Sequence, residues 1–313
     1  GTLSLLDPVE KYLPEFSGLR VGREVGEGIV YEPLKRPLTV YDLLRHTAGL
    51  TYGVFFRSPV KGLYLEAGVD RFDLSREVFL ERLAALPLRF QPGETFEYGL
   101  ATDLLGHLLE ALAGRSLAEL LEERLFRPLG MKDSGFQAKD PARLAQPFPK
   151  DPETGHSLRL LPVETPPPRY AGGMGGVGTA ADYLAFLEAL RLGRGALSPT
   201  MAGFMVQDHL GSLYPEALKR GPEYLPGPGY SFGLGVAVRV EPMGYSPGAL
   251  GEWTWAGFGG TFFFVDPLQE ITALYLAQAP NLLSVLEPEK ALHSRLGARL
   301  QHAFRTLVYL GLE

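Results

Sequence analysis

Apolar residues recur every three or four positions through the middle of the chain, and past residue 228 they gather in short continuous runs. The first pattern predicts amphipathic helices and the second predicts strands. Leu38-Thr39-Val40-Tyr41-Asp42-Leu43-Leu44 predicts a short helix capped by Thr39 and ending near His46-Thr47-Ala48-Gly49. Residues 51–75 read mostly as loop, with a helix over 75–85. Leu104, Leu105, Leu108, Leu109 and Leu112 share one face of a helix over 101–113, which Gly114 stops. The next helix starts at Ser116, with Glu119 completing a capping box, and ends at Gly130. Residues 138–173 hold many prolines and no sustained period, the pattern of a long surface excursion.

A helix from Thr179-Ala180-Ala181-Asp182 to about Leu192 turns Tyr183, Phe186, Leu187 and Leu190 inward. Segments 230–240, 251–257, 260–266 and 270–278 are rich in Val, Phe, Thr, Trp and Tyr and are separated by turn residues, so they predict strands. A closing helix carries Leu292, Leu296, Leu300, Phe304 and Leu307 on one face, with Arg295, Arg299, Gln301 and Arg305 between them. A mainly helical region (1–228) followed by an antiparallel sheet with its covering helix (229–313) is α+β. There is no internal repeat and no clean linker, so residues 1–313 are expected to form a single domain.

Composition narrows the function. With 45% hydrophobic and 21% charged residues, the chain can bury a substantial core, which excludes disorder. A net charge of −6, with no basic run longer than two residues, argues against nucleic acid and anionic membranes as partners. No apolar stretch approaches the roughly 20 residues of a membrane span. The absence of cysteine excludes disulfides, thiolate metal sites and a cysteine nucleophile. Arginine outnumbers lysine 22 to 8, and Asn281 is the single asparagine, a composition suited to a heat-adapted protein. The cytoplasm is the favoured compartment.

Several motifs match only in part. Gly173-Met174-Gly175-Gly176-Val177-Gly178 fits G-x-G-x-x-G, but Pro166-Pro167-Pro168 stand where a dinucleotide site needs a strand. Gly229-Tyr230-Ser231-Phe232-Gly233 and Gly244-Tyr245-Ser246-Pro247-Gly248 fit G-x-S-x-G; the first leads into a strand, and the second places Pro247 where a backbone donor is required, so both read as turns. His46, His107, His156, His209, His293 and His302 are scattered without ligand spacing, so neither a metal nor a cofactor is expected. Ser58-Pro59-Val60-Lys61 is the one S-x-x-K, a spacing that lets a lysine approach a serine hydroxyl for acyl transfer. Gly62 follows at once and predicts a helix of a single turn, which makes a surface turn the alternative role for Ser58 and Lys61.

Leu43-Leu44-Arg45-His46-Thr47-Ala48-Gly49-Leu50 and Phe96-Glu97-Tyr98-Gly99-Leu100-Ala101-Thr102-Asp103-Leu104-Leu105-Gly106 together resemble the serine β-lactamase-like family of class C β-lactamases, family VIII carboxylesterases and related penicillin-binding proteins. Phe126-Arg127-Pro128-Leu129-Gly130-Met131, residues 175–183, Tyr230-Ser231-Phe232-Gly233-Leu234-Gly235 and Trp255-Ala256-Gly257-Phe258-Gly259-Gly260-Thr261 continue the resemblance in family order.

The resemblance implies a β-lactamase/transpeptidase-like fold and a serine hydrolase. Tyr98 takes the place of the family's general base or acid; many members have Ser or Ala right after it and a polar residue two on, where this chain has Gly99 and Leu100, a departure that argues against the Y-x-N pattern of β-lactamases. Trp255-Ala256-Gly257 matches the esterase form of the third motif, in which an apolar wall replaces a lysine that would grip a carboxylate. The Phe258 backbone N–H is the implied oxyanion donor. Tyr98 as an aromatic anchor of a helix start and Trp255 as core are the structural alternatives.

The family's S-x-x-K helix and two strands precede the segment resembling Leu3-Ser4-Leu5-Leu6-Asp7-Pro8-Val9, so the expectation is a chain without its nucleophile segment and with a bare sheet edge or a second copy covering it. The expected activity is a carboxylesterase acting on a small-molecule ester through an acyl-enzyme, with Tyr98 and the strand bearing Trp255 lining one cleft. The alternatives are a β-lactamase or a D-amino-peptidase or penicillin-binding-type hydrolase acting on an amide, and a non-catalytic binding or scaffold protein.

Overall fold

The computed structural model describes residues 3–54, 57–151, 154–158, 161–195, 197–213, 229–242, 246–279 and 297–312. They divide between two compact units, the first within Gly1–Leu121, Pro166–Gly176 and Leu210–Tyr224, the second within Glu122–Thr165, Val177–His209 and Leu225–Glu313. Helices and an antiparallel sheet together make the α+β architecture expected from the pattern.

In the first unit, strands β1 (Arg20–Val25) and β2 (Gly28–Pro33) form an antiparallel hairpin. Helix α1 (Val40–Leu44) starts in a capping box in which Thr39 Oγ1 accepts from the Asp42 N–H and Asp42 Oδ2 accepts from the Thr39 N–H. Helix α2 (Pro59–Ala67) corrects the expected one-turn stop: it runs straight through Gly62 and ends at Gly68. Gly62 weakens a helix only by its intrinsic propensity, and the burial of Val60, Lys61 and Tyr64 on the opposite face outweighs that cost of about 1 kcal/mol. Helix α3 (Arg76–Ala84) has Ser75 as its cap. Helix α4 (Ala101–Ala113) buries Leu104 and Leu108 as expected, and beside them Asp103 and His107, which the leucine stripe did not announce. The predicted helix over 116–130 divides into α5 (Leu117–Leu121), a π-helical turn over Glu122–Phe126, and α6 (Arg127–Leu129).

In the second unit, α7 (Ala180–Arg191) and α8 (Pro199–Met205) pack on one face of a five-stranded sheet, through a core that includes Leu187, Leu190, Ala202, Val238, Trp253, Phe263 and Val265. Tyr183, expected inward, is 38% exposed. The sheet is antiparallel throughout, in the order β3 (Tyr230–Phe232), β4 (Ala237–Arg239), β5 (Trp253–Ala256), β6 (Phe262–Asp266), β7 (Ile271–Tyr275). The run 230–240, predicted as one strand, is a hairpin whose turn is closed by the Gly233 N–H donating to the Val236 carbonyl. Phe262, Phe264, Ile271 and Ala273 face α9 (Gly297–Leu310), which contributes Phe304, Val308 and Tyr309.

The predicted face of α9 needs correction. Leu292 and Leu296 lie outside the described residues, and Leu300 and Leu307 are exposed, whereas Arg305 is only 4% exposed. The reason is an ionic one: the Arg305 guanidinium pairs with buried Glu252, donates to Tyr230 Oη at 2.9 Å and lies over the Phe264 ring. The β7 edge pairs with β6 on one side, and on the other no strand pairs with it among the described residues. Among the described residues no helix is long and apolar enough to cross a membrane.

Candidate active site

Tyr98 stands just ahead of α4, in a segment held from several directions within the first unit. The Glu97 N–H donates to the His46 carbonyl at 2.8 Å. Gly99, the departure from the family pattern, has a backbone reason: a Cβ there would stand 2.5 Å from the Leu50 carbonyl oxygen and from Thr51 Cα. The Tyr98 ring lies between His46, at 4.8 Å between centroids, and Tyr52, at 5.5 Å.

Beneath Tyr98, Glu97 anchors a buried ionic cluster. Its carboxylate sits 3.3 Å from Lys61 Nζ, accepts from Arg89 at 2.9 Å and from Thr51 Oγ1 at 2.6 Å. Ser58 is the N-cap of α2, its hydroxyl accepting from the Lys61 backbone N–H. The lysine of the S-x-x-K is thus ion-paired with the residue preceding Tyr98, and the serine is engaged as a cap.

A second polar cluster lies alongside. Asp103 pairs with Arg169 at 3.4 Å, both almost fully buried, and the guanidinium covers the Phe79 ring. Asp103 Oδ2 and Arg169 Nε have no hydrogen-bond partner among the described residues. Gly173 packs against that same Oδ2, so this glycine of the G-x-G-x-x-G match sits tight against α4. Burial pushes the Asp70 carboxyl up to about 6, opposed by the Gly53 N–H it accepts. Burial also drives the Tyr52 phenol well above its usual range, reinforced by Tyr98, Asp103 and Asp70, and holds the His46 imidazole down to about 3.

In the second unit, Trp255 and Ala256 close β5 opposite Phe263 and Phe262. Trp255 is part-exposed and meets Phe232 edge-on at 5.1 Å. Gly257 opens a turn in which its N–H donates to the Thr261 carbonyl at 2.8 Å and its carbonyl accepts from the Gly260 N–H at 3.0 Å. A side chain at Gly257 would collide with Thr261 Oγ1, a local packing reason for glycine at this position. Phe258, at the tip, is 52% exposed.

Ser231 is fully buried, lies in β3 and donates to Asp208 at 2.5 Å, and the part-exposed Ser246 hydroxyl accepts from Arg239 at 3.3 Å. Neither serine stands at the strand-to-helix turn that a nucleophile elbow requires. Among the described residues no group of three or more His, Asp or Glu side chains is arranged to hold a metal. Sequence reasoning passed over His46, Glu97, Asp103 and Arg169 as site components. One signal was available: Asp103, His107 and Glu110 form a polar stripe at helical spacing beside Leu104 and Leu108.

The sequence profile of the Beta-lactamase family matches residues 1–293. Esterase EstB of Burkholderia gladioli is 33% identical over 297 residues, covering 88% of this chain and 71% of that protein. Lovastatin esterase of Penicillium rubens is 30% identical over 302 residues, covering 89% and 74%. Among solved structures, EstCE1, described as a hydrolase with promiscuous acyltransferase activity, superposes with a TM-score of 0.72 at 30% identity, covering 94% of this chain and 79% of that one.

Proposed function

The chain belongs to the β-lactamase family, and from that premise we propose that it is a carboxylesterase that hydrolyses small or medium acyl esters through an acyl-enzyme. The observation that carries this reading is Trp255-Ala256-Gly257 at the end of β5: an apolar, part-exposed indole stands where a carboxylate-gripping lysine would suit a β-lactam or peptide. The esterase names of two relatives at 33% and 30% identity support it.

In this mechanism a serine hydroxyl attacks the ester carbonyl, and Tyr98 Oη, as general base, takes its proton. The oxyanion that forms is stabilised by the Phe258 N–H together with the amide of the nucleophile. Collapse breaks the acyl–oxygen bond, Tyr98 returns the proton to the leaving alkoxide, and water then releases the acid by the reverse sequence. Ser58 caps α2 and Lys61 pairs with Glu97, so the attacking serine is assigned outside the described residues.

The test is p-nitrophenyl butyrate hydrolysis by residues 1–313, alongside fluorophosphonate labelling of the full gene product read by intact mass. The reading expects mass gain on the full product and no Tyr98-dependent turnover by residues 1–313. Turnover abolished by Tyr98→Phe and Ser58→Ala would instead make Ser58 the nucleophile. Absence of labelling on the full product would favour a binding or scaffold protein, and nitrocefin turnover a β-lactamase. A second reading, acyl transfer to an alcohol, is supported by the likeness to EstCE1; ester product formed when butanol is added would favour it.

A further inference from the structure

We infer that His46 is the positioning residue for Tyr98, the side chain that fixes the plane of the phenol and hence the direction of its Oη. The inference rests on the reading of Tyr98 as general base, and its observations are geometric. The imidazole lies against the phenol ring at 4.8 Å between centroids, tilted by 48°. It also meets Phe96, at 6.0 Å, on the same segment as Tyr98. Nε2 is tethered to Thr102 Oγ1 at 3.2 Å, so the ring is tied to the helix that begins just past Tyr98.

The backbone of His46 does the matching work on the main chain. Its carbonyl accepts from the Glu97 N–H, the peptide immediately before Tyr98. One residue therefore holds the main chain leading into Tyr98 and the face of its ring. It does so from a left-handed conformation (φ 53°) that is costly for a side chain other than glycine. Strain of that kind persists where the surroundings over-determine the residue, and here the surroundings are the candidate base itself. The ring is almost fully buried and uncharged over the working pH range, so it acts by shape and contact and leaves proton transfer to Tyr98. Proton abstraction depends on donor and acceptor meeting within hydrogen-bond reach, so a phenol free to rotate loses part of that advantage.

The experiment titrates the chain carrying tyrosine labelled with 13C at Cζ, with Tyr98→Phe identifying the Tyr98 signal. His46→Asn removes the ring while keeping a residue that tolerates the left-handed backbone. Water then reaches the ring face that His46 covers, and the Tyr98 ionisation midpoint is expected to shift by about half a pH unit or more. Thr102→Val, which cuts only the tether, should shift it the same way by less. A folded His46→Asn chain with an unmoved Tyr98 signal and midpoint overturns the inference. If His46→Asn does not fold, an unmoved Tyr98 signal in Thr102→Val overturns it. The readout is independent of catalysis: a moved Tyr98 together with no fluorophosphonate labelling of the full gene product would sink the hydrolase reading and leave the positioning role standing.

Discussion

Lys61 Nζ lies 3.3 Å from Glu97 Oε1, and each side chain is only 3% exposed. Arg89 and Thr51 converge on the same carboxylate, so Glu97 is the hub that ties α2 to the segment carrying Tyr98. Glu97→Ala would leave a buried ammonium without this partner, and breaking such a pair costs about 3–5 kcal/mol. Lys61→Met should cost less, because Arg89 and Thr51 still satisfy the carboxylate. Urea unfolding of the two variants checks the order; equal losses would contradict the hub role.

Gly99 is closed in by the Leu50 carbonyl and Thr51 Cα, backbone atoms that cannot swing aside. Gly99→Ser, which would restore the residue that the family resemblance leads one to expect after the tyrosine, is therefore expected to destabilise this chain. Overpacking of this kind costs about 1–3 kcal/mol, and a lowered melting temperature with altered near-ultraviolet tyrosine dichroism is the expected signature. An unchanged melt would mean that the contact is loose.

His46 and Asp70 give stability opposite slopes with pH. The His46 value falls from 6.5 to about 3 on folding, so its contribution is complete above pH 6.5 and is lost as pH falls towards 3. The Asp70 value rises from 3.8 to about 6, so the native state holds the extra proton and stability drops as pH rises from 3.8 to 6. Between those limits the two oppose each other. Asp70→Asn, which keeps an acceptor for the Gly53 N–H, should unmask the histidine slope, making the melting temperature fall more steeply from pH 6 to pH 4 than in the parent chain. His46→Asn should flatten the fall. Parallel curves for all three chains would contradict both assignments.

Arg305 is the largest departure from the amphipathic pattern of α9. Its guanidinium and that of Arg239 share buried Glu252, while Tyr230 Oη donates to Glu252 at 2.6 Å. Arg305→Met keeps the length of the stem but leaves the carboxylate undercompensated. Because Arg239 and the Tyr230 hydroxyl still face that carboxylate, the expected loss is below the about 3–5 kcal/mol of a fully unpaired buried charge, measured by thermal melting and by protease sensitivity of α9. A neutral Arg305→Met would show that α9 is held by Phe304, Val308 and Tyr309 alone.

Much of the candidate site was legible because it is local. Tyr98, Trp255 and Gly257 belong to short runs whose order along the chain carries the family, and their positions ahead of α4 and at the end of β5 follow from helix and strand patterns. Ser58 misled in one respect: S-x-x-K spacing records which residues are near in sequence, while the partner of Lys61 is Glu97, 36 residues further on.

The sequence by itself determined the α+β order of elements, the helix starts at Thr39 and Thr179, and the strands β5 to β7, because caps and hydrophobic periods act over a few residues. Tertiary structure alone decided which polar groups go inside. Asp103, Arg305, Glu97 and His46 are buried because distant segments supply Arg169, Glu252, Lys61 and Thr102, and burying a charge or a polar ring becomes tolerable only when such a partner is already in reach.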